Sequence, residues 1–350
     1  MLFKFPDKYV YDIFLDILIK EMLIMFQDKY IKFKKTIDDF NLVPLETKRI
    51  VIAMSGGKDA AAMTHFFMKY QKEERPDIKL EMLLVPVPYK YLHEVPDVVF
   101  EQKVTEKQRK LFEKQKSAMD QSYKYWSEYM KCVIVPVNHE LIESRILKMH
   151  WSCMICFHTK MKAFNDYFID QGYEDNTVFA CGWTKWDSHY TLLSHMLKSD
   201  GSSWEKVKAE NPQKYKSDCI FLASFAAYPK VNIGIPGKRI YRINPLLEFN
   251  DTETLALSKE LNTPIVFDIC NELFEGVFEQ DRRFVAKYLD IFSGNQMLLN
   301  TSQSSIMYSY RNLLKFMQDS GLVPPVEEID NLMYEAYNSN FDQMFELLKK

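Results

Sequence analysis

The chain has 350 residues, of which 47% are hydrophobic, 14% aromatic and 27% charged, and its 45 Lys and Arg against 48 Asp and Glu leave a net charge of −3. That length supports one large domain with extensions or two domains, and the composition excludes both wholesale disorder and a peptide-sized scaffold. The acidic balance excludes a surface that grips nucleic acid all over, although Lys198 to Arg242 holds nine Lys and Arg against four Asp and Glu, a local basic stripe.

The first segment, Met1 to Phe26, is apolar, but Asp12, Asp16, Lys20 and Glu21 interrupt it at helical spacing. This is the pattern of an amphipathic helix and not of a membrane span or a secretory leader. Tyr9 to Phe40 reads as one or two such helices, with Leu15, Leu18, Leu23 and Phe26 among the apolar positions. Six cysteines without a secretory signal point to a reducing compartment, so the expected location is the cytoplasm and the cysteines are free thiols or metal ligands.

Arg49 to Met54 is a short apolar run of the kind found in buried parallel strands. Ser55-Gly56-Gly57-Lys58-Asp59 follows, and helical periodicity resumes from Ala60 to Tyr70. Glycine is scarce, 10 of 350, and Gly56-Gly57 is the only adjacent pair. A glycine turn between a strand and a helix N-terminus presents successive backbone N–H groups to phosphate oxygens; the bland reading is a tight turn. The spacing matches neither a Walker A loop nor a dinucleotide-binding glycine fingerprint.

A second strand is predicted at Leu80–Val87, a long charged helix from Pro96 to Lys131 and a third strand at Cys132–Val137. A helix over His139–Met149 leads into Cys153-Met154-Ile155-Cys156, with helical pattern continuing to Gln171. Two thiols at i and i+3 near a helix start face one way, which suits half a metal site, a redox pair or two core cysteines. A fourth strand is predicted at Thr177–Cys181, a fifth at Lys238–Ile243 and a helix at Asp251–Leu261. From Phe278 the pattern is helical, broken by Gly294 and Pro324-Pro325, and the last segment from Val326 is acidic. Alternating strands and helices predict a doubly wound parallel α/β sheet. The divisions expected are a helical extension over 1–46, the α/β domain over 47–275 and a helical region over 276–350.

The Ser55–Ala60 turn resembles the PP-loop of the N-type ATP pyrophosphatases, SGGxDS, with Ala60 in place of the final serine. The resemblance implies the adenine nucleotide alpha-hydrolase-like fold and an enzyme that uses ATP to adenylate a carbonyl oxygen, releasing pyrophosphate before a nucleophile displaces AMP. Further motifs resemble the group that makes 2-thiocytidine in tRNA. They are Cys153–Cys156, the stretch Ala180-Cys181-Gly182-Trp183-Thr184-Lys185-Trp186-Asp187 with Thr191-Leu192-Leu193, Asn244-Pro245-Leu246-Leu247, and Pro264-Ile265 with Cys270-Asn271. The likeness covers Phe33 to Tyr288.

By resemblance, Ala53, Ser55, Gly56, Gly57, Lys58, Asp59 and Gly182 bind the nucleotide, and Asp59 and Asp187 hold Mg²⁺. Cys153, Cys156 and Cys270 would hold a 4Fe–4S cluster with one iron open to a sulfur ligand, making Asp59, Asp187, Cys153 and Cys156 the catalytic set. Zinc, with Cys181 or His158 as a fourth ligand, is the alternative. Trp183 and Trp186 depart from the family's histidine and first aspartate; they pack in the core or stack on a base. Cys132, Cys181 and Cys219 read as ordinary buried thiols, and the spacing of His189 and His195 supports no metal assignment.

The implied activity is an ATP-dependent sulfurtransferase acting on a tRNA base, with tRNA on the Lys198–Arg242 segment, specifically Lys214, Lys216, Lys230, Lys238, Arg239 and Arg242. The sulfur donor is unassigned and a homodimer is left open. The alternatives are a PP-loop enzyme that thiolates or amidates a small molecule or free nucleotide, and a degenerate nucleotide-binding partner protein.

Overall fold

Arg49–Met54 forms β1, the strand around which the sheet is organised, with Ile50, Val51 and Ile52 fully buried. The computed structural model describes residues 26–84, 106–135, 153–188, 204–212, 229–233 and 238–266, with isolated positions elsewhere. In chain order a helix over 26–39 (α1) precedes β1, and α2 (Lys58–Glu73), β2 (Lys79–Leu84), α3 (Glu106–Ser127), β3 (Lys131–Ile134), α4 (Cys153–Asp170) and β4 (Thr177–Ala180) follow. Next come α5 (Trp204–Glu210), β5 (Lys230–Asn232), β6 (Tyr241–Ile243) and α6 (Asp251–Glu260).

The strands make one six-stranded sheet in the order β3-β2-β1-β4-β6-β5. All neighbours are parallel except β5, which pairs antiparallel with β6 through Val231↔Arg242. The chain winds outward from β1 through β2 to β3 and then crosses to β4 on the other side. This reversal makes the C-terminal ends of β1 and β4 a topological switch point, where open α/β sheets take their ligands.

Alternation along the strands sorts residues to two helical layers. Val178 and Ala180 of β4 join Ile50 and Ile52 in a core with Phe33 of α1, Phe66 and Phe67 of α2 and Leu257 of α6. Phe179, between them, turns to the opposite face, where its ring lies 4.8 Å from Phe164 and 5.2 Å from Phe168 of α4. A second core holds Met54, Met82 and Leu84 against Met119 and Trp126 of α3, with Val266.

The expected first, second, third and fourth strands all form, as do the helices after β1 and after β6. Three expectations need correction. The long helix stops at Ser127 and not at Lys131, because Lys131 opens β3 opposite Glu81, whose Oε1 takes its ammonium at 2.6 Å. The strand expected from Lys238 begins only at Tyr241, and the edge strand β5 before it was not anticipated. Arg242 is no part of a nucleic-acid surface: it is 2% exposed on β6, between Phe179 and Val231. Met1–Phe26 apart from its last residue, Val85–Val87, His139–Met149, Lys198, Lys214, Lys216, Cys219, Cys270 and the pattern read as helical from Phe278, isolated positions aside, lie outside the described residues. Among the described residues no helix is long and apolar enough to cross a membrane.

Candidate functional site

The loop after β1 takes its shape from a left-handed residue and a long-range clasp. Gly56 has φ +85°, a region that favours glycine. A Cβ there would come within 2.5 Å of Val266 Cγ2. Val266 also donates its N–H to Gly56 O at 2.8 Å, so the strap after α6 closes over the loop. Gly57 caps α2 without a side-chain acceptor of its own; Ser55 Oγ accepts the Gly57 N–H at 3.3 Å. Ala53 is half-buried at the strand's end and Ser55 is exposed.

Gly182 follows β4, and its reason is space. A Cβ at this position would meet Ala60 N at 2.9 Å, Asp59 C at 3.0 Å and Ala60 Cα at 3.1 Å, all backbone atoms of the first turn of α2. The turn after β4 and the start of α2 therefore touch backbone to backbone, which brings the expected carboxylates into one neighbourhood.

On the α2 side, Lys58 Nζ donates to both oxygens of Asp59, at 3.0 and 2.8 Å, and lies 3.3 Å from Asp251 Oδ2. On the β4 side, Asp187 Oδ2 accepts the Thr184 N–H at 3.0 Å and lies 3.1 Å from Thr184 Oγ1. That same hydroxyl is 3.1 Å from Asp251 Oδ1. Asp251, the first residue of α6, thus spans both sides. Thr254 Oγ1 donates to Asp59 Oδ1 at 2.5 Å, and Ser258 Oγ donates to Lys58 O at 3.0 Å.

Burial raises the Asp59 carboxyl to about 6; Lys58 and Thr254 pull it down, and Asp187 pushes it up. Burial also works against the Lys58 charge, but Asp59, Asp251 and Asp187 outweigh it and hold the ammonium above its ordinary value. A desolvated carboxylate with other carboxylates close by is a site short of positive charge. Thr184 sharpens this, since its hydroxyl lies against two carboxylates and has one proton to give. A divalent cation fits that shortage. Among the described residues no three His, Cys, Asp or Glu side chains form a group that holds a metal by themselves. Such an ion would complete its shell with phosphate oxygens and water, as Mg²⁺ commonly does.

The structure places Ser55, Gly56, Gly57, Lys58 and Asp59 on the loop and first turn after β1, and sets the turn that carries Gly182 and Asp187 against them. Sequence reading missed Thr184, Asp251, Thr254 and Ser258. The last three repeat at i, i+3 and i+7, one face of a helix, and that polar stripe was the available signal. Trp183 and Trp186 are half-buried in the turn. Cys132 is half-buried and Cys181 buried, both as free thiols, in keeping with ordinary packing. Cys153 and Cys156 open α4, but their side chains lie outside the described residues, as do Cys270, His189 and His195.

No protein-family model matches the chain, and no curated protein matches it in sequence. Among solved structures the U34-tRNA thiolase NcsA from Methanococcus maripaludis, determined with its 4Fe–4S cluster, is similar in fold. The TM-score is 0.57 at 18% identity, over 84% of this chain and 80% of that one.

Proposed function

We propose that the chain is an ATP-dependent, AMP- and pyrophosphate-forming sulfurtransferase that replaces a carbonyl oxygen, on a tRNA base, with sulfur. The observation that carries this reading is the convergence of a glycine loop, a lysine and the carboxylates Asp59 and Asp187 at the switch point of a sheet shared with a tRNA thiolase.

In this reading Gly56, Gly57 and the first amides of α2 bind the triphosphate, with Lys58 supplying charge. Asp59 and Asp187 are the protein ligands of Mg²⁺, which would neutralise the phosphate oxygens. The substrate carbonyl oxygen attacks the α-phosphorus as pyrophosphate leaves; sulfide then attacks the activated carbon, and AMP departs with the original oxygen. Cys153, Cys156 and Cys270 would hold the 4Fe–4S cluster, whose chemistry is to carry that sulfide.

Chain geometry supports the cysteine assignment. Helix α4 ends near the start of β4 and runs back over it. Cys156 lies about 12 Å of helix rise beyond Phe164, the residue that meets Phe179. Gly56 lies up to about 17 Å of strand beyond Val51, the register partner of Phe179. Both therefore rise past the same edge of the sheet by comparable amounts. Cys270 is four residues along the sequence from Val266, whose N–H is bonded to Gly56 O.

A second reading has a small molecule or free nucleotide as acceptor. It is favoured by the burial of Arg242 and by the docking of Lys238 on Tyr173 O, which thin the basic surface. Electrophoretic shift with tRNA at low and moderate salt separates the two, since backbone binding weakens steeply with salt. The chemistry is tested by anaerobic purification with iron, zinc and sulfide analysis of wild type and Cys270→Ala. About four irons and four sulfides per chain, lost in the variant, are expected. One zinc without iron would overturn the sulfur-carrying cluster.

A further inference from the structure

Asp251 touches both halves of the site through its two carboxylate oxygens. Its Oδ2 faces Lys58 Nζ at 3.3 Å, and its Oδ1 faces Thr184 Oγ1 at 3.1 Å. Lys58 in turn grips both oxygens of Asp59, and Thr184 holds Asp187 through its N–H and lies against it with its hydroxyl. The Thr184 hydroxyl has one proton. Because Asp187 Oδ2 already accepts the Thr184 N–H, Asp251 is the carboxylate for which that proton is the tie between two separate elements.

The position of Asp251 is itself fixed. It is the first residue of α6, where a carboxylate is favoured by the helix dipole. Thr254 and Ser258, on the same face, anchor the helix to Asp59 and to Lys58 O. The side chain is 43% exposed, on the open side of a pair in which Asp59 is 22% exposed. The Lys58 ammonium therefore has two carboxylates to choose between, one desolvated and one reached by solvent.

We propose that Asp251 is a positioning residue for the Mg²⁺–nucleotide site, the alternative anchor that lets Lys58 release Asp59 when a divalent ion arrives. This rests on the reading of the site given above. With the ion absent, the ammonium bridges Asp59 and Asp251. When the ion takes Asp59, Lys58 keeps Asp251 and stays beside the phosphates. Through Thr184 the same carboxylate keeps the Asp187 turn in register with α2. Without the Asp251 charge the ammonium is left to Asp59 and competes with the ion for it.

Asp251→Asn preserves shape and the acceptor for Thr184 while removing the charge. Mn²⁺ binding in the presence of ATP, followed by the free-ion resonance, should weaken about five- to tenfold. Binding of ATP in excess chelator should stay within about twofold, which a purely structural defect would not spare. In a Lys58→Met background the Asp251→Asn change should have no further effect on Mn²⁺. Wild-type Mn²⁺ affinity in Asp251→Asn, equal losses with and without metal, or full additivity with Lys58→Met each overturns the role of Asp251. Failure of the wild-type chain to bind Mn²⁺ with ATP overturns the nucleotide reading instead. Should Asp251→Asn not fold, Asp251→Ser, which also removes the charge, enters the same two titrations: a loss confined to the metal-loaded one supports the role, and unchanged Mn²⁺ affinity refutes it.

Discussion

Gly182→Ala tests the contact on which the site depends. Its methyl would fall 2.9 Å from Ala60 N, 3.0 Å from Asp59 C and 3.1 Å from Ala60 Cα, where ordinary contact begins at 3.4 Å. All three are backbone, so no side chain can turn away, and the turn after β4 must part from α2 by roughly 0.5 Å. Overpacking of this kind costs about 1–3 kcal/mol. The same shift draws Asp187 from Asp59, so Mn²⁺–ATP affinity should fall even where the protein is fully folded. Gly172→Ala is the control. Its φ is +63°, with nothing within 4 Å of the added methyl, so it carries only the left-handed penalty of about 1–2 kcal/mol and leaves the site alone. Urea unfolding followed by tryptophan fluorescence, with Mn²⁺–ATP titration at a denaturant-free reference, reads both effects. The reasoning fails if Gly182→Ala unfolds at the wild-type midpoint and binds normally, or if Gly172→Ala loses binding as well.

Burial lowers His65, which accepts or donates at Thr263 Oγ1 across 2.8 Å, to about 4. Folding strips its proton, so its stabilisation is complete above about 6.5 and is lost as pH falls toward 4. Asp59, raised to about 6, has the opposite slope between about 4 and 6. The difference between wild type and His65→Gln isolates the imidazole and should shrink by up to about 3 kcal/mol from pH 7 to pH 4; parallel curves would contradict it. Thr254→Val removes the Oγ1 donor from Asp59 and should cost about 1.5–3 kcal/mol in urea unfolding, the range for hydrogen bonds to charged groups. Phe66, fully buried with rings of Phe33, Phe26 and Phe249 at 5.1, 5.5 and 5.5 Å, should cost about 3–5 kcal/mol as Phe66→Ala, with Phe33→Leu far milder.

The sequence was readable where pattern and geometry are local. The β1 run, the glycine pair and the helix after it lie within one stretch, and their periodicities change at the residues where the elements change. β5 was invisible because Lys230-Val231-Asn232 is too short to show alternation and exists only by pairing with β6. Arg242 misled because charge normally marks a surface, whereas here a strand flanked on both sides, by β4 and the edge strand β5, decided its burial. Asp187 could be singled out by its motif, but Asp251 could not. Its partners Lys58 and Thr184 are brought to it by the sheet order, which no spacing within the Asp251 helix encodes.

The clasp between Gly56 and Val266 has a consequence for biosynthesis. The loop emerges from the ribosome early, but the residue that closes it follows 210 positions later. At translation speeds of roughly 5–20 residues per second, that is a wait of about 10–40 s. For somewhat more than half of that interval β1 has no β4 beside it, and throughout it Met54 lacks Val266. The glycine loop is thus among the last local shapes a growing chain can adopt, and, under the proposed nucleotide role, a ribosome-bound fragment ending before α6 should be unable to retain ATP.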